Sequence, residues 1–208
     1  MTEKFRGLDE EKQQRILNAA FEEFAKEGYN KASTNNIVKE AGIGKGMLFY
    51  YFNSKKELFD YLIEYGSKFV ITEYLDKIHE GQSDFIEKYA QVGKIKKEAY
   101  TKNPHIFNFF GTIYINKDKF EMSQELKNKL DYVRDSGFKK LYDNIDASLF
   151  REDVEPQEVI KLIQWTMDGY EKELVSKLDG KELQDVDMEP YWEDFYRFLE
   201  VLKRIFYK

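Results

Sequence analysis

An all-α fold is predicted by three features of the sequence. Apolar residues recur at the helical period along the whole chain, and no segment sustains the alternation of a strand flanked by turn dipeptides. All three prolines stand where a periodic segment begins, at Pro104 after Asn103, Pro156 after Glu155 and Pro190 after Glu189. Proline fits the first turn of a helix, where its missing N–H leaves no bond unmade. About nine helices are expected. They form an amino-terminal three-helix domain over residues 1–56 and a helical remainder over 57–208.

The first helix is expected from about Asp9 to Glu27. Leu17, Ala20, Phe21 and Phe24 form one apolar stripe on it, and Gly28 ends it in the left-handed region. A short helix from about Asn35 to Ala41, capped by Ser33 or Thr34, buries Ile37, Val38 and Ala41. Gly42 turns the chain into a third helix, about Lys45 to Phe52, with Leu48 and Phe52 on its buried face. Ser54 and Glu57 have the spacing of a capping box, and the fourth helix then runs through Leu58, Leu62, Tyr65 and Phe69 to about Lys77. A loop from His79 to Ser83 precedes helices at about 84–102, 104–115, 123–145, 156–178 and 190–207. The stripe of the 123–145 helix includes Leu126, Leu130, Val133 and Leu141.

Composition removes several function classes. With no cysteine there is no thiolate metal site, disulfide or cysteine nucleophile. The two histidines, His79 and His105, lack the spacing of a zinc-protease helix or of a di-iron bundle, and no phosphate loop or nucleophile elbow occurs. No catalytic residue, metal ligand or cofactor is therefore expected. The charged amino terminus is unlike a secretory signal, and the apolar run 106–115 is too short to span a bilayer, so a cytoplasmic protein with no membrane role is expected. The net charge of −6 hides an asymmetry: residues 1–56 carry 10 basic against 8 acidic side chains. A weakly basic head on an acidic body is compatible with nucleic-acid binding at one end.

The informative stretch is 33–52, two short helices joined at a glycine, with apolar residues on either side of the turn. That is what a helix-turn-helix requires, because the second helix must cross the first closely and project into a major groove. Spacing alone also admits a plain helical hairpin. The polar and aromatic residues favour the first reading. Lys45, Gly46 and Met47 open the second helix, the end that meets base edges, and Tyr50 and Tyr51 place hydroxyls for phosphate oxygens. Lys55 stands at the next helix start, where free N–H groups and the helix dipole favour an anion.

The run Phe21-Glu22-Glu23-Phe24-Ala25-Lys26-Glu27-Gly28-Tyr29, then Thr34-x-x-Ile37-Val38-x-x-Ala41-Gly42-Ile43-Gly44-Lys45-Gly46-Met47-Leu48-Phe49-Tyr50-Tyr51-Phe52, then Ser54-Lys55-Lys56-Glu57-Leu58, closely resembles the DNA-binding domain of the TetR (tetracycline-repressor-like) family. By that resemblance Thr34 with its neighbour Asn35, Gly44 through its backbone, Lys45, Gly46, Met47, Tyr50, Tyr51 and Lys55 fall at positions that contact DNA. Gly44 replaces a usual serine and removes a capping hydroxyl, Phe49 replaces a common tyrosine, and Met47 offers apolar contact to a thymine methyl but no hydrogen bond.

The resemblance implies a homodimer that binds a double-stranded, pseudo-palindromic DNA operator, most often as a repressor, and releases it when a small-molecule effector binds the body. A helical interaction module that keeps the fold without DNA binding is the alternative. The last two helices carry regular stripes, Ile160, Ile163, Met167 and Leu174 on one and Tyr191, Phe195, Phe198 and Leu202 on the other; by the resemblance they pair with their copies at a dimer interface, the alternative being that they close the subunit's own core. Tyr100, Phe107, Phe110, Tyr114, Trp165, Met167 and Tyr170 are the candidates for lining a pocket, one suited to an aromatic or lipophilic effector.

Overall fold

The computed structural model describes residues 3–78, 81–116 and 124–208. His79, Glu80 and the expected helix start at 123 lie outside the described residues, as does the side chain of Leu126. Among the described residues there are ten α-helices and three 3-10 turns. The helices are α1 (Glu3–Arg6), α2 (Glu10–Lys31), α3 (Thr34–Glu40), α4 (Lys45–Tyr51), α5 (Lys55–Glu73), α6 (Phe85–Lys102), α7 (Pro104–Ile115), α8 (Gln124–Tyr142), α9 (Pro156–Leu178) and α10 (Glu189–Phe206). Pairing of β type among these residues is confined to one isolated antiparallel bridge, Phe150 with Tyr207.

The chain divides into two compact units. The first holds residues 1–70, 102–130 and 182–184, so the head expected over 1–56 lies wholly within it. The second holds 71–101, 131–181 and 185–208.

In the first unit, α2 starts where the Asp9 carboxylate accepts the Lys12 N–H at 2.8 Å and breaks at Gly28, whose φ is +69°. Its expected stripe of Leu17, Ala20, Phe21 and Phe24 is buried throughout. The Glu57 N–H donates to Ser54 Oγ at 3.1 Å, but the Glu57 carboxylate accepts from the Asn53 amide at 2.9 Å, so half of the expected capping box forms. Helix α7, capped by Asn103 through the Ile106 N–H, lies against α2 and α5. Phe109 meets Phe21 and Phe59 with ring centroids 5.2 and 5.8 Å apart, and His105 Nδ1 stands 2.9 Å from Glu22 Oε1.

The second unit is built on Phe85, Tyr89, Phe150, Val159, Ile163 and Leu199 with their neighbours. Gly93 on α6 allows Phe195 of α10 to approach so closely that a Cβ would lie 2.6 Å from its ring. Lys88 is buried, and its ammonium donates to the Asp143 carbonyl; burial holds its pKa below the usual lysine value, with the Asp143 carboxylate opposing. The carboxyl end is clipped to this unit, because Tyr207 Oη donates to the Asp84 carboxylate at 2.6 Å and the Lys208 N–H donates to the Leu149 carbonyl at 3.2 Å.

This core takes up part of the expected dimer stripe. Ile163, Met167 and Leu202 are buried in the unit's own core, and Ile160, Phe195 and Phe198 pack half-buried against it. Leu174 and Tyr191 are also half-buried. A stripe at helical spacing says that a face is covered, not that the cover is a second chain. The apolar residues left in solvent are one step around each helix: Leu162 and Trp165 on α9, Val201 and Ile205 on α10.

Candidate nucleic-acid interface

Helices α3 and α4 are fixed from behind by α2 and α1. Glu23 of α2 accepts the Ser33 N–H at 2.6 Å and the Asn36 side-chain amide at 3.3 Å, which sets the start of α3. The Ser33 hydroxyl also accepts the Asn36 N–H, at 3.4 Å. At its other end the Ile43 N–H returns to the Val38 carbonyl (3.0 Å) and the Gly42 N–H to the Lys39 carbonyl (3.2 Å). These two bonds form a Schellman motif around Gly42, whose φ of +65° a side chain would strain.

Gly44 is the N-cap of α4. Its extended backbone (φ −73°, ψ 146°) lets its carbonyl accept the Met47 N–H at 2.9 Å, with no side-chain cap. Leu48 and Phe52 point inward as expected. Behind them sits Phe5 of α1, fully buried, with ring centroids 4.9 Å from Phe52, 6.0 Å from Tyr51 and 5.4 Å from Tyr61. Burial raises the pKa of Tyr61, and a hydrogen bond from Arg6 opposes the rise.

Successive helical residues turn by about 100°, so the outward arc of α4 reads Lys45, Phe49, Gly46, Tyr50, Met47, and all five are exposed. Gly46 lies at the centre of this arc, and a Cβ there would meet nothing within 4 Å. Tyr50 is 54% exposed, with Lys4 Nζ 3.9 Å from its ring centroid. Thr34 is half-buried and Asn35 exposed at the start of α3.

Two expected contacts are placed differently. Tyr51 is 3% exposed and belongs to the Phe5 cluster, because the helical turn carries it to the Leu48 side. Lys55 donates to the carbonyls of Asn30 and Ala32 at 3.1 and 2.9 Å, and its Nζ lies 5.1 Å from the Tyr29 ring centroid. It closes the end of α2 and keeps one N–H beyond those two bonds. Lys4 and Phe49 were not expected on this surface. Nothing in the sequence relates Lys4 to Tyr50, whereas Phe49 was legible as an apolar residue off the buried face.

The pocket candidates divide between the units. Phe107, Phe110 and Tyr114 belong to the first and Tyr100, Trp165, Met167 and Tyr170 to the second. Phe110 covers Gly66, and Phe107 meets Phe69 at 6.3 Å. Met167 is core, while Tyr170 stacks on Phe198 at 4.7 Å and donates to Asp194. Tyr114 is exposed, and Trp165, at 59% exposure with Lys161 Nζ 4.8 Å from its ring, faces solvent, which corrects its assignment as a pocket wall. Among the described residues no group of three or more His, Asp or Glu side chains is placed to hold a metal ion, and no helix is long and apolar enough to cross a membrane.

Helices α3 and α4, joined at Gly42, form a helix-turn-helix whose second helix turns a lysine, a bare glycine and two aromatic rings outward. Residues 16–62 match the domain profile of bacterial regulatory proteins of the tetR family. The chain is similar to the uncharacterized HTH-type transcriptional regulator YvdT of Bacillus subtilis, with 38% identity over 77 residues, 36% of this chain and 38% of that one. It is also similar to the HTH-type transcriptional regulator SrpR of Pseudomonas putida, with 30% identity over 100 residues, 40% of this chain and 47% of that one. It thus spans less than half the length of these two relatives. The fold is similar to that of a TetR family transcriptional regulator from Chloroflexus aurantiacus, with a TM-score of 0.66 and 20% identity over 100% of this chain and 98% of that one. Residues 16–62 thus carry a domain of the tetR type, and the chain shares its fold with TetR family regulators.

Proposed function

We propose that the chain is a cytoplasmic, DNA-binding transcriptional regulator that acts as a homodimer on a pseudo-palindromic operator, as a repressor released by a small-molecule effector. The observation that carries this reading is the outward arc of α4. Glycine inside a helix costs about 0.5–1 kcal/mol relative to alanine, and at position 46 neither packing nor backbone conformation calls for it. A bare centre flanked by Lys45 and Tyr50 suits close approach to a duplex, with base edges ahead and phosphates to either side.

A second copy is the proposed cover for Leu162, Trp165, Val201 and Ile205. Two heads carried by one dimer would then present their α4 helices about one duplex turn apart, and anything that changes this separation costs the second half-site. Helix α7 supports an effector route to the head, since one face of it packs Phe109 on Phe21 of α2 while its Phe110 covers Gly66 of α5. An aromatic or lipophilic molecule that displaces α7 would move α2. About 5 kcal/mol of preference for the non-binding form would suffice to switch the population.

Gly46→Glu tests the arc. The site is open and an acid is favoured in the first turn of a helix, so the melting temperature should be unchanged within about 2 °C. Binding to any duplex should fall by at least about a hundredfold, because a carboxylate would face phosphates and base edges. Equal affinities for variant and parent would place the DNA elsewhere.

A further inference from the structure

Phe49 is the residue on the arc that the family resemblance counted only as a loss. The structure leaves its ring 38% exposed, beside Gly46 and off the buried face of α4. Among the described residues it has no aromatic partner, and over a third of its surface is left to solvent. Met47, on the other flank, is 39% exposed. The arc therefore carries two apolar side chains for two that hydrogen-bond, the Lys45 ammonium and the Tyr50 hydroxyl.

The major-groove edge of a base pair offers donors, acceptors and a single apolar group, the thymine C5-methyl. A ring pressed on a donor or acceptor strips its water and gives no bond in return, so it discriminates against that base as well as favouring the methyl. Resting on the DNA-binding reading above, we infer that Phe49 is a specificity-determining residue of the recognition helix, selecting a thymine in each half-site by apolar contact with its C5-methyl group. The missing side chain at Gly46 is what brings the ring within reach of the base edge.

The test starts with selection by the full-length chain from duplexes with a randomised centre. The enriched duplexes are then remade with deoxyuridine in place of thymidine, which removes only the methyl. Burying one methyl is worth about fourfold in affinity, so the parent should bind the thymidine duplex about fifteenfold more tightly over two half-sites. Phe49→Ala should bring that ratio close to one, and Phe49→Leu should restore part of it, at unchanged melting temperatures. An unchanged ratio in Phe49→Ala would assign the methyl to another residue, and a ratio near one in the parent would remove methyl readout altogether; either result overturns the assignment while leaving DNA binding in place. Selection that enriches no sequence would overturn the DNA-binding reading and the assignment with it.

Discussion

Trp165→Asp should leave each subunit folded and abolish its pairing. The ring is mostly in solvent within one subunit, so its removal takes little from the subunit's own core. In a two-fold interface the same patch appears on both sides, and every substitution counts twice. Losing a buried aromatic and burying an unpaired carboxylate costs about 2–4 kcal/mol per copy, or about 4–8 kcal/mol per dimer. The dissociation constant should therefore rise by at least about a thousandfold. Sedimentation velocity of variant and parent at equal concentration reads this directly. A monomer with a native melting curve and greatly weakened operator binding is the expected result. A variant that remains dimeric would move the interface off the exposed faces of α9 and α10.

Phe5→Ala carries the other large effect. Phe5 is fully buried among Tyr51, Phe52 and Tyr61, the rings that back α4. Truncating a buried phenylalanine costs about 3–5 kcal/mol, a large share of the 5–15 kcal/mol that holds a typical domain together. The head should melt well before the parent's, and DNA affinity should fall through loss of the folded helix rather than loss of a contact. Thermal unfolding followed by tyrosine fluorescence checks this. An unshifted transition would mean that α1 contributes nothing to the head.

Much of this molecule is legible in its letters where a local rule acts alone. Asn103-Pro104, Glu155-Pro156 and Glu189-Pro190 placed the starts of α7, α9 and α10 to within a residue or so, because cap and proline chemistry need no tertiary partner. Gly42 placed the turn for the same reason. Helix α1 was missed, since four residues with one apolar side chain carry no periodicity and Phe5 is ordered only by the rings it meets. Periodicity also gave the buried stripes of α9 and α10 without saying that the subunit covers them itself. Lys55 was read from its place at a helix start, but the carbonyls of Asn30 and Ala32 that hold it are over twenty residues away in the chain.

On the proposed function, the outward arc of α4, presented twice per dimer, enters neighbouring major grooves. The most direct test is the affinity of the full-length chain for a selected duplex between 50 and 200 mM salt, values at which phosphate contacts make affinity fall steeply. With Lys4, Lys45 and the remaining N–H of Lys55 from each head, about six phosphate contacts per dimer are expected. The logarithm of affinity should then fall with the logarithm of salt at a slope near about −5. An affinity indifferent to salt, or none above background, would contradict the account and leave a helical interaction module in its place.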